Sequence, residues 1–430
     1  MENFFGLKEY NTDVKTEILS GITTFMTMAY ILAVNPSILS ETGMDKGGVF
    51  TATALSAVIA TLIMALYAKH PFALAPGMGL NAFFAYTVVL KMGYSWQFAL
   101  TAVFIEGIIF VLLSFVKARE AIFDAIPMNL KKAVSVGIGL YIAFIGLNSA
   151  GIVVQGEGVP LALGAITKPE ALLGLIGLII MGVLLAKDIK GALLIGIIVT
   201  TIIGIPMGVT LLPEGGKIVS LPPSLREVAF QFEWENVLSK DMILVVFTFL
   251  FVDVFDTIGT LTGVSSKANM LDEEGKLPRV SRALFADAVG TVAGSCLGTS
   301  TVTTFVESAS GVAEGGRTGL TALSTAGMFA LSLLFAPLFT MVPASATGPA
   351  LILVGLFMMS PIKEIDLDDF TEAIPAFLTI IMMPLAYSIA EGIVFGMLAY
   401  VILKLLTGKC KEVSLVMYIL SVLFIIRFLI

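Results

Sequence analysis

The chain has 430 residues, of which 57% are hydrophobic and only 13% are charged, and its formal net charge is −7. Soluble domains carry roughly 25% charged residues, so a chain this poor in charge cannot cover its surface in water, and a lipid bilayer must be its main solvent. This composition excludes an ordinary soluble domain, and the lack of a basic patch argues against a nucleic-acid partner.

Residues that commonly bind metals are scarce in this sequence. His70 is the one histidine, and Cys296 and Cys410 lie far apart without CxxC spacing. We therefore expect no metal site, no disulfide framework and no bound cofactor. The polar first seventeen residues lack the cleavage site of a signal peptide, so we expect the first apolar segment to be retained.

Apolar runs bounded by charge, glycine or proline predict about fourteen transmembrane spans. A helix needs roughly 20 apolar residues to cross a bilayer, and many of the runs approach that length. The predicted spans are 18–34, 49–67, 72–90, 97–116, 133–154, 171–186, 192–211, 242–264, 283–298, 299–316, 318–341, 347–360, 373–388 and 392–406. A last apolar run, 413–430, is either a fifteenth span or a helix at the interface. The sequence thus predicts an all-α polytopic membrane protein.

Basic residues are distributed unevenly between the loops of this topology. With fourteen crossings and a cytoplasmic N-terminus, eighteen lysines and arginines fall inside and six outside, apart from Arg427. Cytoplasmic loops of membrane proteins carry such an excess of positive charge. Because a miscounted early span would scramble the asymmetry, we expect a multi-pass protein of the cell membrane whose N-terminus is cytoplasmic.

The longest polar connection divides the chain near its middle. Residues 212–241 contain three prolines and separate a first half, 1–211, from a second half, 242–408. Each half contains seven predicted spans, and an odd number gives the halves opposite orientations in the membrane. Two halves with an odd number of spans each are typical of an inverted repeat, which is common in secondary transporters. We therefore predict two repeats joined by an extracellular linker, followed by a C-terminal apolar helix at 409–430.

Two of the predicted spans are interrupted by glycine, proline and threonine. Residues 71–84 belong to the third span of the first half, and residues 298–311 to the third span of the second half. These residue types favour an extended stretch followed by a short helix. Non-helical backbone is tolerated inside a membrane only where it is buried or lines a cavity. Paired broken segments at corresponding positions indicate a transport site, whereas one alone could be a kinked packing helix.

Six carboxylates are predicted to lie well inside the spans, where ionisable groups are costly and usually functional. They are Glu106, Asp253, Asp256, Asp287, Glu307 and Glu314. Asp253 and Asp256 are three residues apart on one helix face, so the two cannot both ionise easily and are expected to retain a proton. Glu307 follows the extended stretch, where the free N–H groups of a half-helix can meet an acceptor atom.

Four residues are further candidates for a functional role, and for three of them a structural role is the alternative. Asn81 occupies in the first half the place that Glu307 occupies in the second, and its amide could exchange hydrogen bonds with a polar ring. Asp287 could carry a proton or brace a neighbouring helix. Phe83 and Phe305 could stack on a planar ligand or pack in the protein interior.

Three further titratable residues are expected to be structural. Glu106 is expected to pair with a polar group on a neighbouring helix, and Glu314 with Arg317 near the cytoplasmic end of its segment. His70, at the end of a span beside Lys69, is expected to be a solvated interface residue.

Five motifs spread over nearly the whole chain resemble those of the AzgA-type purine permeases, within the wider nucleobase–ascorbate transporters. They are GITTFMTMAYILAVNP at 21–36, PGMGLNAFF at 76–84, FVDVFDTIGT at 251–260, TTFVES at 303–308 and AIPAFLT at 373–379. Because five separate motifs match, the resemblance is far more specific than any single glycine-rich match.

The resemblance implies fourteen spans in a 7+7 inverted repeat, with short strands in the third and tenth spans. It also implies a core domain that moves against a gate domain in an elevator-like cycle of alternating access, with substrate between the two strands. Asp256 is similar to the family's acidic substrate residue of the eighth span, with Asp253 one turn before it, and Glu307 to that of the tenth. Asn81 and Asp287 are similar to polar residues of the third and ninth spans.

Together with the residue chemistry, the resemblance implies import of purine bases: hypoxanthine, guanine and/or adenine. Carboxylates are natural acceptors for the ring N–H and amino groups of a purine. The expected substrate-binding residues are Asn81, Asp253, Asp256, Glu307, Phe83 and Phe305. The expected proton-coupling residues are Asp253, Asp256, Glu307 and Asp287. A proton is the expected coupling ion, with sodium as the alternative, and related folds imply a homodimer.

The chain departs from two branches of the wider family. Uracil-transporting cousins carry Glu and then His where this chain has Asp256 and Thr260, and the Gln-Asn motif of the ascorbate and xanthine branch is absent from the first span. Both departures argue against a pyrimidine or ascorbate cargo.

Two other functions fit parts of the sequence. The DxxD formed by Asp253 and Asp256 would suit a magnesium-dependent membrane prenyltransferase, but the interrupted spans would then be unexplained. An inorganic anion such as sulfate is an alternative cargo for the same fold. A cluster of carboxylates without a basic neighbour would repel such an anion.

Overall fold

The structure is a computed structural model, and it describes residues 2–115, 126–156, 158–213, 218–267, 270 and 277–429. The labelled elements, in chain order, are α1 Val14–Met28, α2 Ile31–Ser40, α3 Lys46–Ile63, β1 Leu74–Pro76, α4 Met78–Ala82, α5 Trp96–Phe115, α6 Met128–Ser149, β2 Val153–Val154, β3 Ala162–Leu163, α7 Pro169–Ala186, α8 Ala192–Gly204, α9 Lys240–Lys267, α10 Val280–Leu297, β4 Val302–Thr304, α11 Ser308–Ala313, α12 Gly319–Ser332, α13 Ala344–Met358, α14 Phe370–Leu385, α15 Ile389–Leu406 and α16 Leu415–Leu429. Two π-helical turns, Met64–Ala68 and Phe83–Lys91, continue α3 and α4.

Within these described ranges, ten helices are long and apolar enough to cross a membrane. Three shorter apolar helices, Met78–Lys91, Ala192–Gly204 and Phe370–Leu385, occupy the positions of predicted spans 3, 7 and 13. The half-helix α11 lies in predicted span 10. The polytopic helical class is therefore confirmed. The C-terminal α16 has fifteen residues, which is shorter than the roughly 20 that a perpendicular span needs.

The first span is longer than predicted and begins at a capped helix end. Asp13 accepts hydrogen bonds from the backbone N–H groups of Lys15 and Thr16, which satisfies two donors that a helix start leaves open. The helical segment runs to Ser40, past the predicted end at Val34, in two pieces, α1 and α2. Pro36 lies inside α2, and the helix continues past it to Ser40.

The two interrupted segments pair with each other as an antiparallel sheet. The paired residues are Leu74 with Thr304, Ala75 with Thr303 and Pro76 with Val302. Two flanking backbone bonds lengthen the ladder, from Gly77 N to Thr301 O and from Phe305 N to Ala73 O, both 3.0 Å. The expected short strands of spans 3 and 10 are thus confirmed, and each is followed by a short helix, α4 or α11.

Each strand is tied to the helix before it by one threonine. Thr61 Oγ1 donates to Leu74 O (3.2 Å) and accepts from Leu74 N (3.0 Å). Thr291 Oγ1 makes the same two bonds to Val302, at 3.0 and 3.2 Å. Leu74 and Val302 are the first residues of their strands, so the two ties are related by the local two-fold axis of the antiparallel pair. Because a hydroxyl both donates and accepts, one side chain satisfies both backbone groups.

Contacts divide the chain into two compact units. The first comprises Met1–Val116 and Gly146–Ala350, and the second comprises Lys117–Ile145 and Leu351–Ile430. The first unit contains both β1 and β4. The predicted repeats rest on the number of spans in each half of the chain and do not correspond to these units, so their boundaries remain a prediction.

The second unit is held together by tight helix packing and a buried cation. A Cβ on Gly396 would lie 1.7 Å from Thr379 Oγ1, so α14 and α15 approach as closely as only glycine permits. Lys404 is 1% exposed, and its ammonium lies 2.8 Å from a Glu372 carboxylate oxygen and 2.6 Å from one of Glu412. Two carboxylates compensate the burial of this charge.

A buried carboxylate of α1 organises the connection between α11 and α12. Glu17 is fully buried and accepts from the backbone N–H groups of Arg317, Thr318 and Thr321 at 2.9 to 3.2 Å. The hydroxyls of Thr318 and Thr321 also donate to it, at 2.8 and 2.7 Å. The carboxylate thereby caps the first turn of α12, where helix N–H groups lack partners. The predicted first span began at residue 18, so this role was missed.

The prediction that His70 is solvated is wrong. The side chain is 2% exposed, and its Nε2 lies 2.9 Å from Pro278 O, with the ring beside Phe72. The cause is the preceding turn: Lys69 adopts a left-handed conformation and donates to Phe4 O, which directs the next residue inward. Burial, together with the nearby Arg279 charge, lowers the pKa of His70 to about 4.

We expect Gly319→Ala to destabilise the protein, because a Cβ there would lie 2.0 Å from Ala65 O. Overpacking of this kind costs about 1–3 kcal/mol. Gly327→Ala, in the same helix, is the matched control, since nothing lies within 4 Å of its Cβ position. The thermal midpoint in detergent should fall for Gly319→Ala and stay level or rise for Gly327→Ala. Equal midpoints for the two variants would contradict the close approach.

The low pKa of His70 predicts a pH-dependent stability. Between pH 6.5 and about 4, an unfolded chain binds a proton that folded His70 does not, so stability falls as pH is lowered through this window. The loss approaches about 3 kcal/mol for a shift of this size. His70→Gln removes the titrating group and should flatten the thermal midpoint between pH 7 and 4.5. The same slope in both proteins would show that His70 is not buried in a neutral form.

Candidate functional site

The site is built where the paired strands give way to the half-helices. Gly77 is the N-cap residue of α4 and Glu307 that of α11, so the half-helices begin two residues after β1 and four residues after β4. The first N–H groups of a helix have no partner within it, and its start carries a partial positive charge. Acceptor atoms and carboxylates are stabilised at such positions.

Glu307 is partly exposed and is held by a tyrosine from the first span. The hydroxyl of Tyr30 donates to Glu307 Oε1 at 2.6 Å, and Tyr30 itself is 1% exposed. Sequence reasoning missed Tyr30, although it lies within the first-span motif. Its position at the break between α1 and α2 turns it toward α11, which the sequence alone does not reveal.

Asp256 lies beside the start of the other half-helix. Its Oδ2 is 3.6 Å from the point that a Cβ on Gly77 would occupy, and the side chain is partly exposed. Thr303 Cγ2 is only 2.5 Å from the same point, so the glycine at position 77 is what lets β4 approach the backbone here. Asp256 and Glu307 are therefore associated with the starts of α4 and α11 respectively.

Asp253 and Asp287 belong to a second, fully buried group. Thr257 Oγ1 lies 3.1 Å from Asp253 Oδ1, 2.8 Å from Asp287 Oδ1 and 2.7 Å from Thr303 Oγ1. Both carboxylates and Thr257 have no exposed surface. Sequence reasoning missed Thr257, although its position four residues after Asp253 places the two on one helix face.

Asn81 and Glu106 brace the segment that leads into β4. The carboxamide oxygen of Asn81 accepts from Ser300 Oγ, and its nitrogen donates to Pro76 O at 3.4 Å. Glu106 Oε2 accepts from Thr301 Oγ1 at 2.6 Å, as expected of a pairing with a polar neighbour. Both side chains are fully buried.

The predicted aromatic residues are buried as well. The ring of Phe83 is 1% exposed and meets Phe249 of α9 edge-on, with 4.9 Å between centroids. Phe305 is 5% exposed, and its backbone extends the strand pair. Stacking of either ring on a ligand remains a prediction.

The expected pair of Glu314 and Arg317 is wrong. Glu314 pairs with Lys190, which follows α7. The Arg317 guanidinium instead donates to the carbonyls of Val312 (2.6 Å) and Gly316 (2.8 Å). It thus bonds one carbonyl in the last turn of α11 and one in the loop that follows this helix.

The sequence matches a known family over most of its length. The family model Xan_ur_permease, described as a permease family, matches residues 15–395. The chain belongs to this permease family. Because the members of the family are permeases, the expectation of a transporter rather than an enzyme is confirmed, and the prenyltransferase alternative is wrong.

Several curated relatives match the permease along its full length. A putative permease, MJ0326, of Methanocaldococcus jannaschii is 52% identical, covering 100% of this chain and 98% of the relative. The guanine/hypoxanthine permease PbuG of Bacillus subtilis is 45% identical, covering 100% and 99%. The adenine permease AdeP of Escherichia coli is 41% identical, covering 99% and 95%.

A solved structure shares the fold at low sequence identity. The transmembrane domain of the cyanobacterial bicarbonate transporter BicA superposes with a TM-score of 0.68. It is 17% identical, and the match covers 89% of this chain and 96% of that chain. The likeness shows that the two chains share a fold and carries no information about cargo.

We expect Tyr30 and Glu307 to be energetically coupled, because the bond is short, partly buried and made to a carboxylate. Hydrogen bonds to charged groups contribute about 1.5–3 kcal/mol. A double-mutant cycle of Tyr30→Phe and Glu307→Gln, followed by unfolding in detergent, measures the coupling. The pair of Tyr86 and Glu41, bonded at 3.1 Å with Glu41 exposed, is the control and should give a smaller value. Additive effects at Tyr30 and Glu307 would contradict the contact.

Proposed function

We propose that this permease imports purine nucleobases (hypoxanthine, guanine and/or adenine) by proton symport, in an elevator-like cycle of alternating access. The observation that carries the proposal is the pair of partly exposed carboxylates, Asp256 and Glu307, at the starts of two half-helices that follow paired strands. The similarity over the full chain to permeases for adenine and for guanine and hypoxanthine supports the same cargo class.

The chemistry of a purine suits this arrangement. Its ring N–H groups, and the amino group of adenine or guanine, donate hydrogen bonds that carboxylates accept strongly. The carbonyl of hypoxanthine or guanine accepts bonds from the first N–H groups of α4, which begins beside Asp256. A base held between Asp256 and Glu307 would thus satisfy both its donors and its acceptor.

The predicted binding residues take different parts in this proposal. Asp256 and Glu307 bind the base directly, because they are the partly exposed carboxylates of the site. Asn81 supports the strand pair by its hydrogen bonds with Ser300 and with the carbonyl of Pro76. The buried Phe83 and Phe305, which were predicted to stack on the base, give it a planar apolar surface when the site opens.

The buried carboxylates Asp253 and Asp287 carry the proton part of the proposal, with sodium as the alternative coupling ion. The core that contains both strands moves the bound base across the bilayer. The proposal further includes two inverted repeats within 1–211 and 242–408, a cytoplasmic N-terminus in the cell membrane, and a homodimer.

Uptake of radiolabelled hypoxanthine into proteoliposomes tests the function. We expect uptake driven by an inward proton gradient and blocked by unlabelled guanine or adenine, but not by uracil or sulfate. Asp256→Asn and Glu307→Gln should each weaken base binding by about tenfold to a hundredfold, since each replaces a charged acceptor by a neutral one. Glu314→Gln, which alters only the exposed pair with Lys190, is the matched control.

Each arm of the experiment can contradict a separate part of the proposal. Unchanged hypoxanthine uptake by both Asp256→Asn and Glu307→Gln would rule out the assigned base site. Competition by sulfate would favour an anion cargo. Uptake that ignores the proton gradient would remove the symport while leaving a nucleobase permease.

A further inference from the structure

The Thr257 hydroxyl occupies an unusual position between two buried carboxylates. Its oxygen is within hydrogen-bond distance of Asp253, Asp287 and the hydroxyl of Thr303. These residues come from three elements, α9, α10 and β4, and none is more than 1% exposed. Because the four side chains are buried, water cannot replace any of the hydrogen bonds among them.

Counting hydrogens restricts the protonation of this group. A threonine hydroxyl has one hydrogen and two lone pairs, and an ionised carboxylate can only accept. Thr257 can therefore donate to Asp253 or to Asp287, but not to both at once. The contact with the second carboxyl is a hydrogen bond only if that carboxyl carries a proton and donates it to Thr257. If Thr257 instead donates to Thr303, both carboxyls must be protonated.

With one proton shared by Asp253 and Asp287, each of the three contacts of Thr257 can be a hydrogen bond. Thr303 donates to Thr257, Thr257 donates to one aspartate, and the other aspartate donates to Thr257. With no proton, an ionised carboxylate oxygen would lie about 3 Å from a hydroxyl oxygen without a hydrogen between them, a costly arrangement in a buried site. The geometry therefore favours the singly protonated pair.

The surrounding charges favour the same state. The elements α5, α11 and β4 pack against α9 around this level. The titratable side chains of α5, of the N-cap of α11 and of the middle of α9 itself are acidic: Glu106, Glu307 and Asp256. The helix α4 also packs against α9 and has no titratable side chain. The basic residues of α9 lie at its two ends, and Arg282 of α10 lies over the Tyr67 ring. Nearby acidic groups raise the cost of a second ionised carboxylate.

We propose that Asp253 and Asp287 hold one proton between them through the hydroxyl of Thr257, and that this bridge is the coupling site of the permease. Thr257 is a positioning residue, because it acts on the proton through the two carboxyls. The inference rests on the proposed function, since coupling requires that a base be transported.

The bridge is connected to the base site through β4. Thr257 bonds Thr303, and Thr303 packs against Gly77, beside which the Asp256 carboxylate lies. The same strand leads into Glu307. Loss of the shared proton would break one of the contacts of Thr257 and loosen β4, so proton occupancy and base affinity are linked reciprocally.

Two transport assays on the full-length protein separate coupling from base recognition. Counterflow exchanges labelled hypoxanthine at equal pH on both sides, whereas accumulation requires the inward proton gradient. Thr257→Val removes the hydroxyl at nearly constant volume. We expect it to keep counterflow within about threefold of the wild type and to lose at least about tenfold in gradient-driven accumulation. Thr257→Ser keeps the hydroxyl and should retain both activities.

Thr248→Val is the matched control for these variants. Thr248 is a buried threonine of the same helix whose hydroxyl bonds only the carbonyl of Leu244, at 2.9 Å, one turn away. It should leave both activities unchanged. Wild-type accumulation by Thr257→Val would overturn the proposal. Accumulation driven by a sodium gradient at equal pH, and lost in Thr257→Val, would also overturn it, because the bridge would then hold sodium.

Infrared spectroscopy tests the bridge without transport and without Thr257→Val, should that variant fail to fold. A protonated carboxyl has a C=O stretch that an ionised carboxylate lacks. The wild type at neutral pH should show this band, which should be lost in Asp287→Asn and retained in Asp256→Asn. A band absent from the wild type, or unaffected by Asp287→Asn, would overturn the bridge. A wild type that shows the band but no counterflow would instead refute the proposed function alone.

Discussion

The antiparallel pairing of two three-residue strands is the constraint on which the rest of the site depends. Non-helical backbone inside a bilayer leaves N–H and C=O groups without water, at a cost of several kcal/mol for each unsatisfied group. β1 and β4 solve this by bonding to each other on one edge. On the other edge, Thr61 and Thr291 each satisfy both polar groups of a first strand residue.

The hydrogen bonding of β1 and β4 makes it possible to place a polar site within an apolar protein of this kind. Because each helix must stop to allow the strands, the chain restarts as α4 and α11. The first three N–H groups of α11 already bond backbone carbonyls three residues earlier, so we assign the contact with an acceptor to the start of α4. Glycine at position 77 then allows Thr303 to come close to the backbone, with the Asp256 carboxylate beside it. The interruptions that weaken the two spans as helices therefore provide the polar groups of the proposed binding site, and the surrounding hydroxyls offset the cost.

The acidic residues fall into two environments with different consequences. Asp256 and Glu307 are partly exposed and can meet a ligand, whereas Asp253 and Asp287 are sealed and bonded to Thr257. A fifth carboxylate, Glu17, lies in a third environment, where it receives five hydrogen bonds and anchors the connection between α11 and α12 to the first span. The carboxylates of this protein thus fall into proposed ligand contacts, proposed proton carriers and structural caps, according to their partners.

The sequence by itself determined the membrane class, the approximate location of the apolar helices, the two interrupted segments and the acidic residues near them. These features follow from local composition: a lipid-facing helix must be apolar, and glycine, proline and clustered carboxylates stand out against it. Only the tertiary structure decided which atoms meet. Tyr30, Thr257 and Glu17 act through residues far along the chain, and the partners of His70 and Glu314 depend on how loops fold back. Such pairings are set by packing between distant segments, and no local pattern specifies them.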